Sequence, residues 1–213
     1  MMHSFRGAAG VLAISLGLAL AGPASAQLYT EDQRPSACHK KYDDTGPGRD
    51  VIYVPTRLQT VERMLDFAEL KAGETLVDLG SGDGRIVITA AQKHGARGRG
   101  YDIDRELVVR SNAAARKLGL EQKVGFVEED VLKADIREAT VVTLYLLPAM
   151  MHELRAKLLR ELKPGTRIVS HDFDFGDWKP DRSVSLELNE KYDITGSWSS
   201  IIYLWTVPQT GAR

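Results

Sequence analysis

The sequence predicts an α/β fold: a mostly parallel sheet with helices on both faces, closed by an antiparallel pair of strands. Three observations predict it. Short apolar runs alternate with helical patterns from Arg57 to His171. A glycine cluster, Gly80-Ser81-Gly82-Asp83-Gly84, falls between the first apolar run and the helical pattern after it. Near the end, Val184 to Tyr192 and Trp198 to Val207 alternate with a period of two on either side of the turn-forming Asp193 to Ser197.

Arg57 to Leu70 reads as an amphipathic helix, because Leu58, Val61, Leu65 and Ala68 recur at helical spacing before Lys71-Ala72-Gly73 ends the pattern. Thr75 to Leu79 is a short apolar run ending in glycines, hence a buried strand. Arg85 to His94 is a helix stopped by Gly95, and Gly98 to Asp102 a second strand. Arg105 to Leu118 is a helix with Gly119 at its C-terminal cap position, and Val124 to Glu128 a third strand. Ala134 to Glu138 is expected to form one helical turn, and Thr140 to Leu147 a very apolar fourth strand. Ala149 to Leu162 is a helix ended by Pro164-Gly165, and Thr166 to His171 a fifth strand. Trp178, Trp198 and Trp205 read as core or hairpin packing.

The chain has 213 residues, enough for one domain with a sizeable core. Its net charge of −1 gives no global basic field of the kind that nucleic-acid binding needs. Cys38 is the only cysteine, which excludes an intramolecular disulfide and a thiolate-rich metal site. Residues 1–26 have the order of a secretory signal peptide: Arg6, an apolar run from Ala8 to Ala21, a Gly22-Pro23 break and the small residues Ala24-Ser25-Ala26. A functional signal would place the protein outside the cytoplasm, whereas an uncleaved segment would act as a membrane anchor. Residues 27–52 are a polar, turn-rich lead-in, residues 53–207 the domain, and residues 208–213 a tail.

Asp78-Leu79-Gly80-Ser81-Gly82-Asp83-Gly84 is the sharpest motif. Its position between strand and helix lets a ligand approach the backbone closely and meet free N–H groups at the helix start. A dinucleotide fingerprint would require glycine at position 85, where the chain has Arg85. An acid at the strand end suits a ligand with a cationic amino-acid end better than a pyrophosphate. Asp102 ends the second strand and can accept both hydroxyls of a ribose. Asp130 follows the third strand, where its carboxylate can accept from an adenine amino group while the Val131 N–H donates to a ring nitrogen. Singly, these are a tight turn, a helix-capping acid and a solvated acidic turn. In order, each after a successive strand, they describe one adenosine-type site at the carboxyl edge of the sheet.

These residues resemble the class I S-adenosylmethionine-dependent methyltransferases. Val77 to Gly84 resembles the first motif of that family, Gly100-Tyr101-Asp102-Ile103-Asp104 the second and Glu129-Asp130-Val131 the third. The resemblance implies S-adenosylmethionine as cofactor. It also implies a Rossmann-like three-layer fold with a seven-stranded sheet of order 3-2-1-4-5-7-6. Tyr53-Val54-Pro55-Thr56, Asp78 to Ile88, Glu161 to Ser170 and the aromatic stretch Phe173 to Trp178 are similar to a narrower group. These are small protein-lysine methyltransferases, of the kind that act on the adenine nucleotide translocase and the ATP synthase c-subunit. That group usually has glutamate and asparagine where this chain has Asp102 and Asp104. The resemblance implies a cofactor site of Thr56, Asp78, Gly80, Ser81, Gly82, Gly84, Asp102, Asp130 and Val131, with Tyr145 to Pro148 bordering the acceptor.

A sulfonium donor needs alignment and exclusion of water more than a catalytic side chain. A lysine acceptor must be neutral, which an apolar slot favours. Tyr145 can orient the amine, and His171 or Asp172 can accept a proton or hold a cationic substrate. The same run is also simply a buried strand, and His171 to Asp174 a polar strand exit. Two further readings stand beside the lysine one: a small-molecule or RNA acceptor on the same cofactor site, and a retired methyltransferase fold that only binds. The run Leu144-Tyr145-Leu146-Leu147-Pro148 lacks the Asn/Asp-Pro-Pro-Tyr pattern of base-methylating sites.

Overall fold

A computed structural model describes residues 53–187 and 199–209. The export segment, the lead-in and the hairpin turn at Asp193 to Ser197 lie outside the described residues, as does Trp198. The elements are α1 (Leu58–Phe67), β1 (Thr75–Leu79), α2 (Arg85–His94), β2 (Arg97–Asp102), α3 (Arg105–Lys117), β3 (Val124–Glu128), β4 (Val141–Leu144), α4 (Pro148–Glu161), β5 (Arg167–His171), β6 (Arg182–Glu187) and β7 (Ser199–Thr206). They build one seven-stranded sheet of order β3-β2-β1-β4-β5-β7-β6. The first five strands run parallel, while β7 pairs antiparallel with both β5 and β6. This is the methyltransferase Rossmann-like fold that the motifs imply.

The two faces are covered unequally. Helices α2 and α3 pack on one face of β1, β2 and β3, and α1 packs on α2. Arg167 ties α1 down from β5, donating to the carbonyls of Ala68 and Glu69 at 2.6 and 2.9 Å and pairing with Glu74. On the other face Val77, Val142, Ile168 and Trp205 form a core with Met151, Leu154 and Leu158 of α4. Trp205 is fully buried and donates its indole N–H to the Trp178 carbonyl at 2.9 Å. Phe175 meets the Trp205 ring edge-on at 4.8 Å.

Three expectations about elements need correction. The fourth strand stops at Leu144, and Tyr145, Leu146 and Leu147 leave the sheet. The cause is Pro148, which opens α4 one residue earlier than expected and holds Leu147 extended at φ −60°, ψ 152°. The single helical turn expected at Ala134 to Glu138 is two turns: one at Asp130 to Ala134, where the Asp130 carbonyl accepts from Ala134 N–H and its carboxylate from Leu132 N–H, and a tighter one where the Ile136 carbonyl accepts from Ala139 N–H at 3.0 Å. Ala134 and Ile136 serve as fully buried core residues. Strand β6 begins at Arg182, two residues before the alternating run at Val184.

Candidate functional site

The glycine loop turns back on itself immediately after β1. Gly80 and Ser81 both donate their N–H groups to the Tyr101 carbonyl at the end of β2, at 2.8 and 2.9 Å. Gly82 has φ +54°, and a Cβ there would lie 2.3 Å from Cε2 of Tyr53. The position therefore needs glycine twice over, for its left-handed backbone and for the aromatic ring laid against it. The Gly82 N–H donates to Oδ2 of Asp102 at 2.7 Å, which joins the ends of β1 and β2 across the sheet edge.

Asp78 is 2% exposed. Oδ1 accepts from the Thr143 hydroxyl at 2.7 Å, while buried Oδ2 has no hydrogen-bond partner. Burial pushes its carboxyl up to about 7, the nearby charges of Asp102 and Asp83 add to the rise, and the Thr143 hydroxyl opposes it. The Ser81 hydroxyl is also buried without a partner. A buried acceptor left open and poised between its neutral and ionised forms is a place for a cationic group.

Asp102 is also raised, chiefly by burial, against the Asp104 and Gly82 N–H groups that favour its charged form. Each of its oxygens accepts one backbone N–H, from Gly82 at 2.7 Å and Asp104 at 2.9 Å. A carboxylate has about four acceptor positions, so two remain for a diol. Asp130 spends one oxygen on Leu132 N–H at 3.0 Å, and Val131 sits in the α4-side core. An ammonium acceptor and a diol acceptor along one sheet edge fit the amino-acid end and ribose of S-adenosylmethionine.

The acceptor candidates come together beside this edge. His171, at the end of β5, is 5% exposed. Its Nδ1 lies 3.3 Å from the Thr56 hydroxyl and its Nε2 3.1 Å from the Ser200 hydroxyl of β7. The Tyr145 ring lies 4.2 Å from the His171 ring and stacks toward Phe173 at 6.1 Å. Asp172 adopts φ +62° and exchanges two hydrogen bonds with Ile201: its N–H donates to the Ile201 carbonyl, and its Oδ1 accepts from the Ile201 N–H. Its Oδ2 is 3.4 Å from His171 Nε2. Both His171 nitrogens therefore have partners inside the protein, and the imidazole acts as a brace between β5, β7 and the segment before α1.

That segment links the two halves of the site. Tyr53 covers Gly82, the Thr56 carbonyl accepts from Arg85 at 2.8 Å, and the Thr56 hydroxyl meets His171. Arg85 is in turn held by Asp83 at 2.6 Å. Sequence reasoning assigned no role to Tyr53, Thr143, Asp83, Arg85 or Ser200. A signal did exist for Thr143, a polar residue inside the apolar run Val141 to Leu147. The parallel register places it opposite Asp78. Ser200 carried no local signal, because its partner is 29 residues away.

Fold and site geometry together define an α/β enzyme of the S-adenosylmethionine-dependent class. The family model for the ANTKMT methyltransferase domain matches residues 78–182. A protein-lysine N-methyltransferase of Saccharolobus islandicus (strain REY15A) is 37% identical over 158 residues, 74% of this chain and 94% of that one. The ATP synthase c-subunit lysine N-methyltransferase of Homo sapiens is 36% identical over 129 residues, and the match spans 54% of its length. The crystal structure of an RNA methyltransferase from Salinibacter ruber in complex with S-adenosyl-L-homocysteine is 49% identical, with a TM-score of 0.66 over 73% of this chain and 95% of that one. The chain belongs to the ANTKMT and ATP synthase c-subunit lysine methyltransferase family of class I S-adenosylmethionine-dependent methyltransferases.

Proposed function

We propose that this enzyme methylates the ε-amino group of a protein lysine. The observation that carries the reading is the meeting, at one sheet edge, of the glycine-loop crevice and the aromatic wall of Tyr145, His171 and Phe173. When bound, S-adenosylmethionine supplies a methyl group on a sulfonium, so an N–C bond forms as the S–C bond breaks. In this reading Asp78 holds the amino-acid end and Asp102 the ribose. The loop of Gly80, Ser81, Gly82 and Gly84 borders the cofactor between these two acids, while Asp130 and Val131 border the adenine. Tyr145 and Phe173 then desolvate the incoming ammonium, which lowers its pKa and favours the neutral nucleophile. His171 holds Tyr145 in place, and Thr56 ties this wall to the cofactor loop.

The archaeal relative, covered over 94% of its length, supports a lysine acceptor. The chain spans about half the length of the human relative, so that enzyme's acceptor is not carried over. An RNA acceptor is the second reading, favoured by the described activity of the 49% identical structure. Labelled methyl from S-adenosylmethionine, followed through cell extract, separates the two. We expect label that is resistant to nuclease, sensitive to protease and recovered as methyl-lysine after hydrolysis. Nuclease-sensitive label would overturn the lysine reading.

We also propose that residues 1–26 export the enzyme. The support is the Arg6, apolar-run and Ala24-Ser25-Ala26 order of the sequence. Among the described residues no helix is long and apolar enough to cross a membrane. N-terminal sequencing of the mature chain tests it: a start at Gln27 is expected, and an intact Met1 in the cytoplasmic fraction would refute it.

A further inference from the structure

The sheet face opposite α2 and α3 is not covered to its end. Helix α4 packs over β4 and β5, and the β3–β4 connection, residues 129–140, forms turns and no helix. Beyond them a depression of about 350 Å³ remains over the starts of β1 and β2. Val77 and Tyr101, both 4% exposed, lie along it. Arg97, Arg99 and Lys123 line it, and all three are exposed.

Charge is unbalanced there. The two acids at the depression are committed elsewhere: Asp135 to Arg137 at 2.8 Å and Glu138 to Lys163 at 2.8 Å. Among the described residues the side chains of Arg97, Arg99 and Lys123 have no ion-pair or hydrogen-bond partner. Their spacing is set by the sheet. Arg97 and Arg99 are two apart on one strand, hence about 7 Å apart on the same face. Lys123 precedes β3 and continues the Gly98–Val124 register to stand opposite Arg97, about 5 Å across.

We propose that this depression binds a compact phosphate-bearing ligand, at a site separate from the methyl-transfer edge. Two guanidinium groups and an ammonium, carried on neighbouring backbone positions about 5 to 8 Å apart, can converge on the oxygens and charge of a phosphate group. The volume is at the small end of ligand sites, about 300 to 1,000 Å³. Separation from the cofactor follows from the fold, since Arg97 and Lys123 lie at strand starts and Asp102 at a strand end.

Inorganic pyrophosphate titrated into the full chain, followed by amide chemical shifts and calorimetry, tests the proposal. Expected is saturable binding with shifts at Arg97, Arg99 and Lys123. Binding weakens at least about tenfold in Arg97→Gln/Arg99→Gln while S-adenosylmethionine affinity is unchanged. Gly125→Glu is a second, independent variant. Gly125 pairs with Arg99, a Cβ there meets nothing within 4 Å, and the added carboxylate would compete with the ligand. No saturable binding by about 10 mM pyrophosphate, a ligand too weak to matter, would overturn the proposal. So would equal binding by both variants, or tight binding of a single-stranded RNA 12-mer through the same arginines without pyrophosphate binding.

Discussion

Replacing Asp78 by asparagine sets folding stability against cofactor affinity. The Asp78 carboxyl is buried and pushed up to about 7 from an ordinary value of 3.8. A raised folded-state value means that stability is greatest below the unfolded value and declines as pH rises from about 4 to about 7. Three pH units at 1.36 kcal/mol each give an upper bound of about 4 kcal/mol lost by pH 8. Asparagine removes this titration but buries an amide N–H₂ where Oδ2 had no partner, which returns about 1–3 kcal/mol of the gain. Without cofactor, Asp78→Asn should therefore melt above the wild type at pH 8 and show a weaker pH dependence. Its affinity for S-adenosylmethionine should fall by about 10- to 150-fold, the value of one hydrogen bond between charged groups at about 1.5–3 kcal/mol. The wild type carries its own control. Below pH 7 the carboxyl must lose its proton to accept an ammonium, so affinity should fall about 50-fold between pH 7 and pH 5. In Asp78→Asn this contribution should vanish, leaving only the smaller dependence of Asp102. Thermal melts and calorimetric titrations across this range provide the readout. Equal wild-type affinity at pH 5 and pH 7, or a lower apo melting point for Asp78→Asn at pH 8, would refute the reasoning.

Gly82→Ala should cost about 1–2 kcal/mol for its left-handed backbone, and more for the contact with Tyr53. Melting curves of Gly82→Ala and of Gly82→Ala/Tyr53→Ala separate the two, since only the contact is relieved in the double variant. Asn112→Ala removes the amide that donates to the Phe126 carbonyl at 2.8 Å and accepts from its N–H at 3.1 Å on edge strand β3. Stability should fall by about 1–3 kcal/mol, and light scattering should show more self-association as the strand edge is uncovered. Trp205→Ala should cost about 3–5 kcal/mol in denaturant unfolding, because the ring is fully buried against Phe175 and Trp178. Tyr145→Ala should lower kcat at least about 100-fold while calorimetric cofactor affinity stays within about twofold; an unchanged kcat would remove Tyr145 from the acceptor wall.

Much of the fold was legible because its signals are local. Strand β1 ends in glycines, α2 is bounded by Gly84 and Gly95, and Asp104 caps α3 by accepting from Glu106 and Leu107 N–H. These features act within a few residues, where sequence and structure share one ruler. The errors arose where a non-local demand overrode local pattern. Tyr145 to Leu147 are as apolar as a strand, yet Pro148 takes them out of the sheet. Ala134 and Ile136 are fully buried on either side of exposed Asp135, a two-residue alternation that suits extended chain packed on the core rather than a helical turn.

By itself the sequence marked one adenosine-type site at the sheet edge, from three acidic positions and one glycine loop in order, and the same motifs carried the resemblance to class I methyltransferases. It also marked Tyr145, His171 and Asp172 as chemically able. Only the tertiary structure decided what these groups do to one another. Thr143 reaches Asp78 across 65 residues, and Thr56 reaches His171 across 115. Burial then makes Asp78 a poised acceptor and occupies both nitrogens of His171. The reason is physical: a side chain's charge and free valences depend on desolvation and on partners brought by the sheet from distant parts of the chain, and neither is a property of its neighbours in sequence.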